Sequence, residues 1–268
     1  MTEIKRISID TSKSVFTLHA INPQDQPVMR RDLKRAGLVA FFAKQAPTEV
    51  VLETCGGSHH WARVLTAQEH RVKLIPPQYV KPFVKRGKND RNDAEAICEA
   101  AGRPNMSFVP IKSAQRQAEL MVLRTRELLI GQRTQLVNAL RGHATEFGVI
   151  AGKGIENVDK LLELIAEDSS IPPVARDVLT MLGAEIERLD TRLNEIDAGL
   201  RAQHKANPLS MALAQIPGVG PITALTLVTE IEPCHFPVVA VALANKIARI
   251  AWAMMSTGEV YRGVPRLA

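Results

Sequence analysis

Residues 4–33, IKRISIDTSKSVFTLHAINPQDQPVMRRDL, contain three short apolar runs separated by two groups of polar residues. The runs lie at 4–9, 15–21 and 28–33, and the polar groups lie at 10–13 and 22–25. In the first run apolar and polar residues alternate, which is typical of a strand, while the polar groups are typical of turns. This stretch predicts a three-stranded meander.

The next forty residues alternate between helix-like and strand-like segments. The pattern predicts a helix at 34–45, a buried strand at 49–52, a helix at 58–68 and a short strand at 72–75 that ends before two prolines. Because alternating helices and strands indicate parallel pairing, the order βββ followed by αβαβ predicts an α/β domain with an antiparallel edge.

From Ser113 onward the pattern is helical. Between Ser113 and Gly148, apolar residues recur at 120, 123, 130, 137 and 140, in steps of three and seven. This spacing predicts one long amphipathic helix that ends near Gly148. A second helix is predicted at 173–205, where apolar residues at 182, 186, 189, 193, 196 and 200 step by four and three. This period of 3.5 is typical of a coiled-coil seam, so we expect the two helices to form an antiparallel pair or part of a dimer.

The net positive charge of the chain lies in its first 110 residues. This part contains 17 Lys and Arg against 11 Asp and Glu, whereas residues 111–268 contain 17 of each sign. A basic segment predicts a polyanionic partner such as nucleic acid, because neutralised phosphates release counterions on binding. A charge that only keeps the surface soluble is the alternative.

Several classes of protein do not fit the sequence. It has no unbroken run of about 20 apolar residues, which predicts that no segment spans a membrane. Residues 1–6 carry charges where the apolar core of a signal peptide would lie. Cys55, Cys98 and Cys234 have no C-x-x-C spacing, so we expect reduced thiols, no zinc site and a cytoplasmic location.

Four acidic residues fall where an α/β sheet presents its active site. Asp10 ends the first predicted strand, and Glu53 follows the apolar run 50–52. Asp90 and Asp93 begin a helix predicted through residue 101, and their three-residue step puts both carboxylates on one helical face. Converging carboxylates need compensation from hard divalent cations, and a pair of such ions clamps the attacking and leaving oxygens of phosphoryl transfer.

Each of these acids also has a structural interpretation. Asp10 could form a turn with the two residues that follow it, Asp90 could cap the helix, and Asp93 could be a first-turn acid favoured by the helix dipole. Glu53 is harder to explain in this way, because an unpaired glutamate is costly directly after a buried strand.

Three segments resemble, in order and spacing, the DEDD motif of the DEDD-type insertion-sequence transposases, the IS110 and IS1111 group. They are IDTSK (9–13), ETCG (53–56) and KNDRNDA (88–94). The resemblance continues through the long helices into residues 216–224, so it covers nearly the whole chain.

The resemblance implies an organisation and a chemistry. It implies a RuvC-like, ribonuclease-H-like domain at 1–110, a long-helix coiled-coil region at 111–206 and a transposase C-terminal domain at 207–268. Asp10, Glu53, Asp90 and Asp93 would be the catalytic, metal-binding acids, with Mg²⁺ as the expected ion. Members of the family use a structured non-coding RNA to choose the DNA sites that they recombine. DNA and a guide RNA are therefore the expected partners, and the seam at 173–205 predicts a homo-oligomer.

Two further segments indicate nucleic-acid binding. Five basic residues lie within eleven positions beside the acids: Lys81, Lys85, Arg86, Lys88 and Arg91. We interpret them as holding a nucleic-acid backbone, although such a run of charge is commonly only solvated. Residues 216–220 are typical of a helix-hairpin-helix turn, in which Gly218 and Gly220 let backbone N–H groups approach a phosphate. A tight turn without a ligand explains these glycines equally well.

One segment of the family is missing from this chain. Family members carry a nucleophilic serine in a basic, Ser/Gly-rich segment after the hairpin, whereas here residues 229–237 lead directly into 238–252, which resemble the family's last helix. Ser256 has no matching context. We therefore expect a shortened C-terminal domain and a transposase that is defective in recombination, because nucleophilic catalysis needs the hydroxyl and a group that activates it.

Two other functions fit part of the sequence. A non-catalytic nucleic-acid-binding or regulatory remnant agrees with the missing serine segment. An actin-like ATPase or sugar kinase would place Asp10 beside a nucleotide phosphate. No second glycine-rich phosphate loop follows, however, and the element at 88–93 would have no role in such an enzyme.

Overall fold

In the computed structural model, which describes residues 3–84, 90–216 and 218–230, the three apolar runs form the predicted antiparallel meander. The strands are β1 (Arg6–Thr11), β2 (Val15–Ile21) and β3 (Pro27–Lys34). β1 pairs with β2, and β2 pairs with β3, both in antiparallel register. The prediction of a meander is confirmed, with strand ends that differ by one or two residues.

Parallel strands and helices complete the first compact unit, Met1–Gln117. In chain order they are α1 (Leu38–Phe42), β4 (Glu49–Glu53), α2 (Ser58–Thr66), β5 (Arg71–Ile75), α3 (Pro77–Val80) and α4 (Asp90–Ala101). β4 lies parallel to β1 and β5 lies parallel to β4, so the sheet order is β3-β2-β1-β4-β5. The predicted mixed α/β fold with an antiparallel edge is confirmed.

The helix predicted at 34–45 is wrong in its extent. β3 continues to Lys34, which pairs with Val15, and a single 3₁₀ turn at Arg35–Gly37 separates it from the five-residue α1. The apolar spacing of Leu38 and Phe42 is real, since both side chains are fully buried. The backbone before them, however, is held in the sheet by strand pairing.

The sheet is covered on both faces. Ile7 and Ile9 of β1 and Leu52 of β4 pack with Trp61 and Leu65 of α2 on one face. Val51 of β4 belongs to a second cluster, which contains Ile75 of β5 and Ile97 of α4. Because side chains alternate along a strand, Ser8, Asp10 and Glu53 are directed to the face that α4 covers.

The second compact unit, Ala118–Ala268, is helical in its described part. It contains most of α5 (Ala114–Thr145), a 3₁₀ turn at Ile155–Asn157, and then α6 (Val158–Glu167), α7 (Pro173–Ala206), α8 (Pro208–Leu213) and α9 (Pro221–Glu230). The two long helices have the predicted bounds within a few residues. α6 is not predicted by the sequence pattern, although Val158, Leu161 and Ile165 line its buried face.

α5 and α7 run antiparallel to each other. Arg126 of α5 binds Asp197 of α7. Arg133, seven residues after Arg126, binds Asp190, which lies seven residues before Asp197. Leu120 and Leu123 pack with Leu200, while Val137 and Leu140 belong to the cluster that contains Ile186. The apolar seam of α7 therefore packs against α5, α6 and α9 of the same chain, and the predicted homo-oligomer stays a prediction.

The domain boundaries predicted at 110/111 and 206/207 stay predictions as well. Residues 231–268, which include the segment expected to be shortened, lie outside the described residues. No helix in the described parts of the chain is long and apolar enough to cross a membrane.

Candidate active site

Asp10 and Glu53 lie side by side at the ends of two adjacent parallel strands. The pairing of β1 with β4 aligns Ile9 with Leu52, and the next residue of each strand carries a carboxylate. Both acids are partly buried. The predicted meeting of these two acids at one edge of the sheet therefore agrees with the register.

α4 brings a third acid to the same edge. The hydroxyl of Ser8, which is fully buried in β1, donates a hydrogen bond of 2.6 Å to the carbonyl oxygen of Ala94. Asp93 directly precedes Ala94, so this hydrogen bond fixes the beginning of α4 against the strand that carries Asp10. The backbone of Asp90 begins α4, but its side chain lies outside the described part of the chain.

The pKa of Glu53 reflects the charges of the acids around it. Burial raises the pKa of the Glu53 carboxyl above its usual value, and the charges of Asp10 and Asp93 raise that pKa further. Lys81 acts in the opposite direction and lowers it. Two acids from two other segments, together with one cation, thus act on the Glu53 carboxylate.

The loop after β4 ties the ends of the two strands together. The Cys55 thiol lies 2.8 Å from the Thr11 hydroxyl at the end of β1. The Ser58 hydroxyl donates to the Cys55 carbonyl oxygen at 3.0 Å, and Gly57 turns the chain into α2 with a φ of 95°. A positive φ is strained for residues with a Cβ, which explains glycine at this turn.

Sequence reasoning did not identify Ser8, Cys55 or Ser58 as parts of this edge. A signal existed for Ser8, which is a polar residue within an apolar strand. The partners of Cys55 and Ser58 could not be inferred, because they depend on how the loop folds onto β1.

The described side chains contain no ready-made group of three or more metal ligands. The four-acid metal site, which includes the side chain of Asp90, therefore stays a prediction. The chemistry of the donor set nevertheless fits a hard divalent cation, because Asp10, Glu53 and Asp93 offer only carboxylate oxygens.

Of the predicted basic residues, only Lys81 has a described side chain. It is exposed in a 3₁₀ turn at Lys81–Phe83, near enough to affect Glu53. Lys85, Arg86 and Lys88 lie outside the described residues, as does the side chain of Arg91.

The predicted hairpin connects α8 with α9 in the second unit. Gly218 has a φ of 82°, and the carbonyl oxygen of Gly220 accepts a hydrogen bond from the Ala224 N–H at 2.8 Å, at the beginning of α9. Pro217 lies outside the described residues. Two helices joined by a turn with a left-handed glycine are therefore present. The binding of a phosphate by this turn stays a prediction.

Comparison with known proteins gives a consistent result. A family model described as "Transposase", of the DEDD-type IS110 group, matches residues 7–148. The chain is 42% identical to the y4pF/y4sB protein of Sinorhizobium fredii, which carries a transposase name, with 97% of this chain and 86% of the relative covered. That alignment runs over 333 residues, more than the 268 of this chain, so the relative contains residues that this chain lacks.

Two further relatives are named for insertion sequences. The chain is 37% identical to the transposase for insertion sequence element IS1111A of Coxiella burnetii and 36% identical to the transposase for insertion sequence element IS1328 of Yersinia enterocolitica. These alignments cover 88% and 86% of this chain but only 65% and 69% of the relatives. With a match over more than half of its length and these identities, the chain belongs to the IS110 family of insertion-sequence transposases.

Proposed function

We propose that the first unit is a RuvC-like domain in which Asp10, Glu53, Asp90 and Asp93 form a metal-dependent site for phosphoryl transfer on nucleic acid. The observation that carries this proposal is that Asp10 and Glu53 follow the paired residues Ile9 and Leu52 on adjacent parallel strands, while the Ser8 hydroxyl holds the residue after Asp93 against β1. The pKa of Glu53, raised by burial, Asp10 and Asp93, agrees with this placement. The sheet order β3-β2-β1-β4-β5, with a meander followed by parallel strands, agrees with a ribonuclease-H-like domain.

The acids oppose one another in the absence of a cation. Placing like charges beside a partly buried carboxylate costs free energy, which a fold retains where function requires it. A divalent cation, with Mg²⁺ as the expected ion, would be held by these carboxylates and would neutralise charge on a phosphate that reacts there.

Other side chains around this site position the acids and contact the nucleic acid. Ser8 keeps the beginning of α4 against β1, and the contact between Thr11 and Cys55 holds the ends of β1 and β4 together. Lys81, as an exposed cation near Glu53, is suited to hold a backbone phosphate beside the acids.

We also propose that the chain binds DNA and a structured guide RNA but does not complete recombination. The nucleophilic serine segment of the family is absent from the sequence after residue 229. The relative that covers nearly the whole chain is longer than this chain, which supports an internal loss. A non-catalytic nucleic-acid-binding or regulatory protein is the second candidate, and the same shortening favours it.

The decisive experiment separates binding from reaction. Purified full chain, Glu53→Gln and Asp10→Asn are compared for Mg²⁺ binding by calorimetry and for binding of labelled duplex DNA and structured RNA by fluorescence anisotropy. Glu99→Gln is the matched control, because Glu99 is an exposed acid of α4 paired with Arg103. We expect both site variants to lose Mg²⁺ binding while the control retains it.

Strand transfer between donor and target DNA is then measured with the same proteins. Nucleic-acid binding without strand transfer is the expected result. Strand transfer by the unmodified chain would overturn the proposed defect, and Mg²⁺ binding that is unchanged in Glu53→Gln and Asp10→Asn would overturn the proposed site.

A further inference from the structure

A basic cavity lies in the second unit, between α5 and the loop that precedes α6. Its volume is about 410 Å³. Arg133, Asn138 and Arg141 line it from three successive turns of α5, and Lys153 and Gly154 line it from the loop. None of these residues belongs to the acidic site or to the glycine hairpin.

The loop is fixed in place by hydrogen bonds to its backbone. Arg141 donates from Nη1 to the Gly152 carbonyl oxygen at 2.6 Å and from Nη2 to the Gly154 carbonyl oxygen at 2.7 Å. The Asn157 side chain donates to the Lys153 carbonyl oxygen at 2.7 Å. These bonds hold the backbone of Lys153 beside α5, so the cavity is formed before a ligand arrives.

Positive charge dominates the described lining. It contains three basic side chains and no carboxylate, although Asp190 binds Arg133 and Glu156 adjoins Gly154 at the edge of the cavity. A cavity of similar volume between β2 and α4 differs, because Asp25, Glu95 and Glu99 line it together with its basic residues. Arg133 is paired with Asp190 and Arg141 with two loop carbonyl oxygens, so Lys153 is the cation most available to a ligand at the α5 cavity. The lining of this cavity favours an anion more than that of the other cavity, in which three acids offset the basic residues.

The other lining groups favour a phosphate over a whole nucleotide. Asn138 contributes an amide, and Val137 and Ile155 contribute only aliphatic surface. The described lining contains no aromatic ring on which a base could stack. A backbone phosphate needs only cations and hydrogen-bond donors.

We propose that Arg133, Lys153 and Asn138 form a second nucleic-acid contact of this protein, which binds a backbone phosphate independently of the acidic site. This inference rests on the proposed nucleic-acid function and adds a location to it. Arg141 acts as a positioning residue, since its guanidinium holds the loop that carries Lys153.

Lys153 is the residue to change, because it is exposed and its side chain does not hold the loop in any described contact. Binding of full-chain Lys153→Ala and Lys153→Glu to labelled duplex DNA and to a hairpin RNA is measured by anisotropy over a range of salt concentrations. Lys160→Ala and Lys160→Glu are the matched controls, since Lys160 is an exposed lysine of the neighbouring α6 and does not line the cavity.

We expect Lys153→Ala to weaken binding roughly threefold to tenfold and to reduce the slope of log K against log salt by about 0.9 on duplex DNA. Lys153→Glu should weaken binding further, and the Lys160 variants should bind like the unmodified chain. A loss on RNA alone or on DNA alone identifies which nucleic acid occupies the cavity, and either result supports the proposal.

The test distinguishes failure of this inference from failure of the proposed function. If Lys81→Ala weakens nucleic-acid binding while Lys153 and Lys160 variants are indistinguishable, the second contact is overturned and the function stands. If the unmodified chain binds neither nucleic acid, both fail. Calorimetry with inorganic phosphate provides the last arm: Lys153-dependent phosphate binding that DNA and RNA do not compete with would overturn a backbone contact.

Discussion

The Ser8 hydroxyl donates a hydrogen bond of 2.6 Å to the carbonyl oxygen of Ala94, 86 residues away in the sequence. Ser8 precedes Asp10 by two residues in β1, and Ala94 follows Asp93 in α4. One buried hydrogen bond therefore connects the strand that carries the first acid with the helix that carries the last. The position of the acids depends on a residue that carries no charge.

Replacing Ser8 with Ala should reduce Mg²⁺ binding strongly and the free energy of unfolding only slightly. The lost hydrogen bond should lower the free energy of unfolding by about 1 kcal/mol. Without this bond to β1, the beginning of α4 should hold Asp93 less firmly beside Glu53, and Mg²⁺ should bind more weakly. Adding Mg²⁺ should therefore raise the melting temperature of Ser8→Ala less than that of the unmodified chain. Thr48→Val is the control, since it removes a hydroxyl bond of 3.1 Å to the Ile4 carbonyl oxygen, at the end of the sheet away from Asp10. An equal loss of the Mg²⁺ response in both variants would contradict a positioning role for Ser8.

Replacing Glu53 with Gln should stabilise the protein at neutral pH when no divalent cation is present. Burial, Asp10 and Asp93 raise the pKa of Glu53, so the Glu53 carboxyl group holds its proton more tightly in the folded state than in the unfolded state. The free energy of unfolding therefore falls as the pH rises through the raised pKa, and it stays lower above it. Thermal unfolding from pH 4 to pH 8 should show a gain for Glu53→Gln that disappears at the acidic end. A melting temperature at pH 7 below that of the unmodified chain would count against this account.

Glu49 should stabilise the protein at neutral pH, and this contribution should be lost in acid. Burial opposes its ionisation, but hydrogen bonds from Lys73 and Arg6 outweigh burial and lower the pKa of Glu49. A lowered pKa means that the stabilisation is present above the unfolded value and is lost as the pH falls through the folded one. Glu49→Gln leaves the nearly buried Arg6 without its carboxylate, so we expect a loss of about 3 kcal/mol at pH 7 in urea unfolding.

The matched control for Glu49 is again Glu99→Gln, which removes an exposed ion pair with Arg103 within α4. That change should alter the free energy of unfolding by about 0.5 kcal/mol or less. Similar losses for both variants would mean that the ion pair of Arg6 with Glu49 contributes no more than a surface pair.

Cys98 should make the protein sensitive to alkaline pH. Burial raises the pKa of its thiol to about 11, although Arg6 acts to lower it. The neutral thiol is favoured in the folded state, so its contribution is present below pH 9 and is lost as the pH rises to 11. Cys98→Ala should flatten the pH dependence of the free energy of unfolding over this range by on the order of 2 kcal/mol. Parallel curves for the two proteins would contradict the raised pKa.

Arg126 and Asp197 should be energetically coupled across α5 and α7. Their contact is bidentate, with Nη2 and Oδ2 3.2 Å apart, and the hydrogen bonds raise the pKa of Arg126 and lower that of Asp197. A double-mutant cycle with Arg126→Gln and Asp197→Asn should give a coupling free energy of about 0.5–1 kcal/mol that decreases in high salt. Additive single effects would show that the pair forms without stabilising the helices.

The local patterns of the sequence predicted most of the secondary structure. The alternation in β1, the limits of α4 and the extent of α7 depend on neighbouring residues, and the structure contains all three. The helix at 34–45 was overextended because pairing of Lys34 with Val15 lengthens β3, and this pairing is not visible in the local pattern.

The candidate site was predictable only in part. Asp10, Glu53 and Asp93 follow from strand ends and helix spacing. The partners of Ser8 and Thr11 depend instead on which sheet face α4 covers and on how the loop after β4 folds. The basic cavity has the same origin, since the spacing of Arg133 and Arg141 on α5 gives no sign that Lys153 lies opposite them.

β1 comes early in the chain but lies in the middle of the sheet, and this has a consequence for the order of folding. Its pairing with β2 closes a turn of a few residues, whereas its pairing with β4 joins Arg6 to Glu49, 43 residues away. Because closing a longer loop costs more conformational entropy, we expect the meander to form first and β4 to join it later. Asp10 and Glu53 thus meet only when the sheet is completed, so the repulsion between them opposes a late step of folding and leaves the first contacts undisturbed.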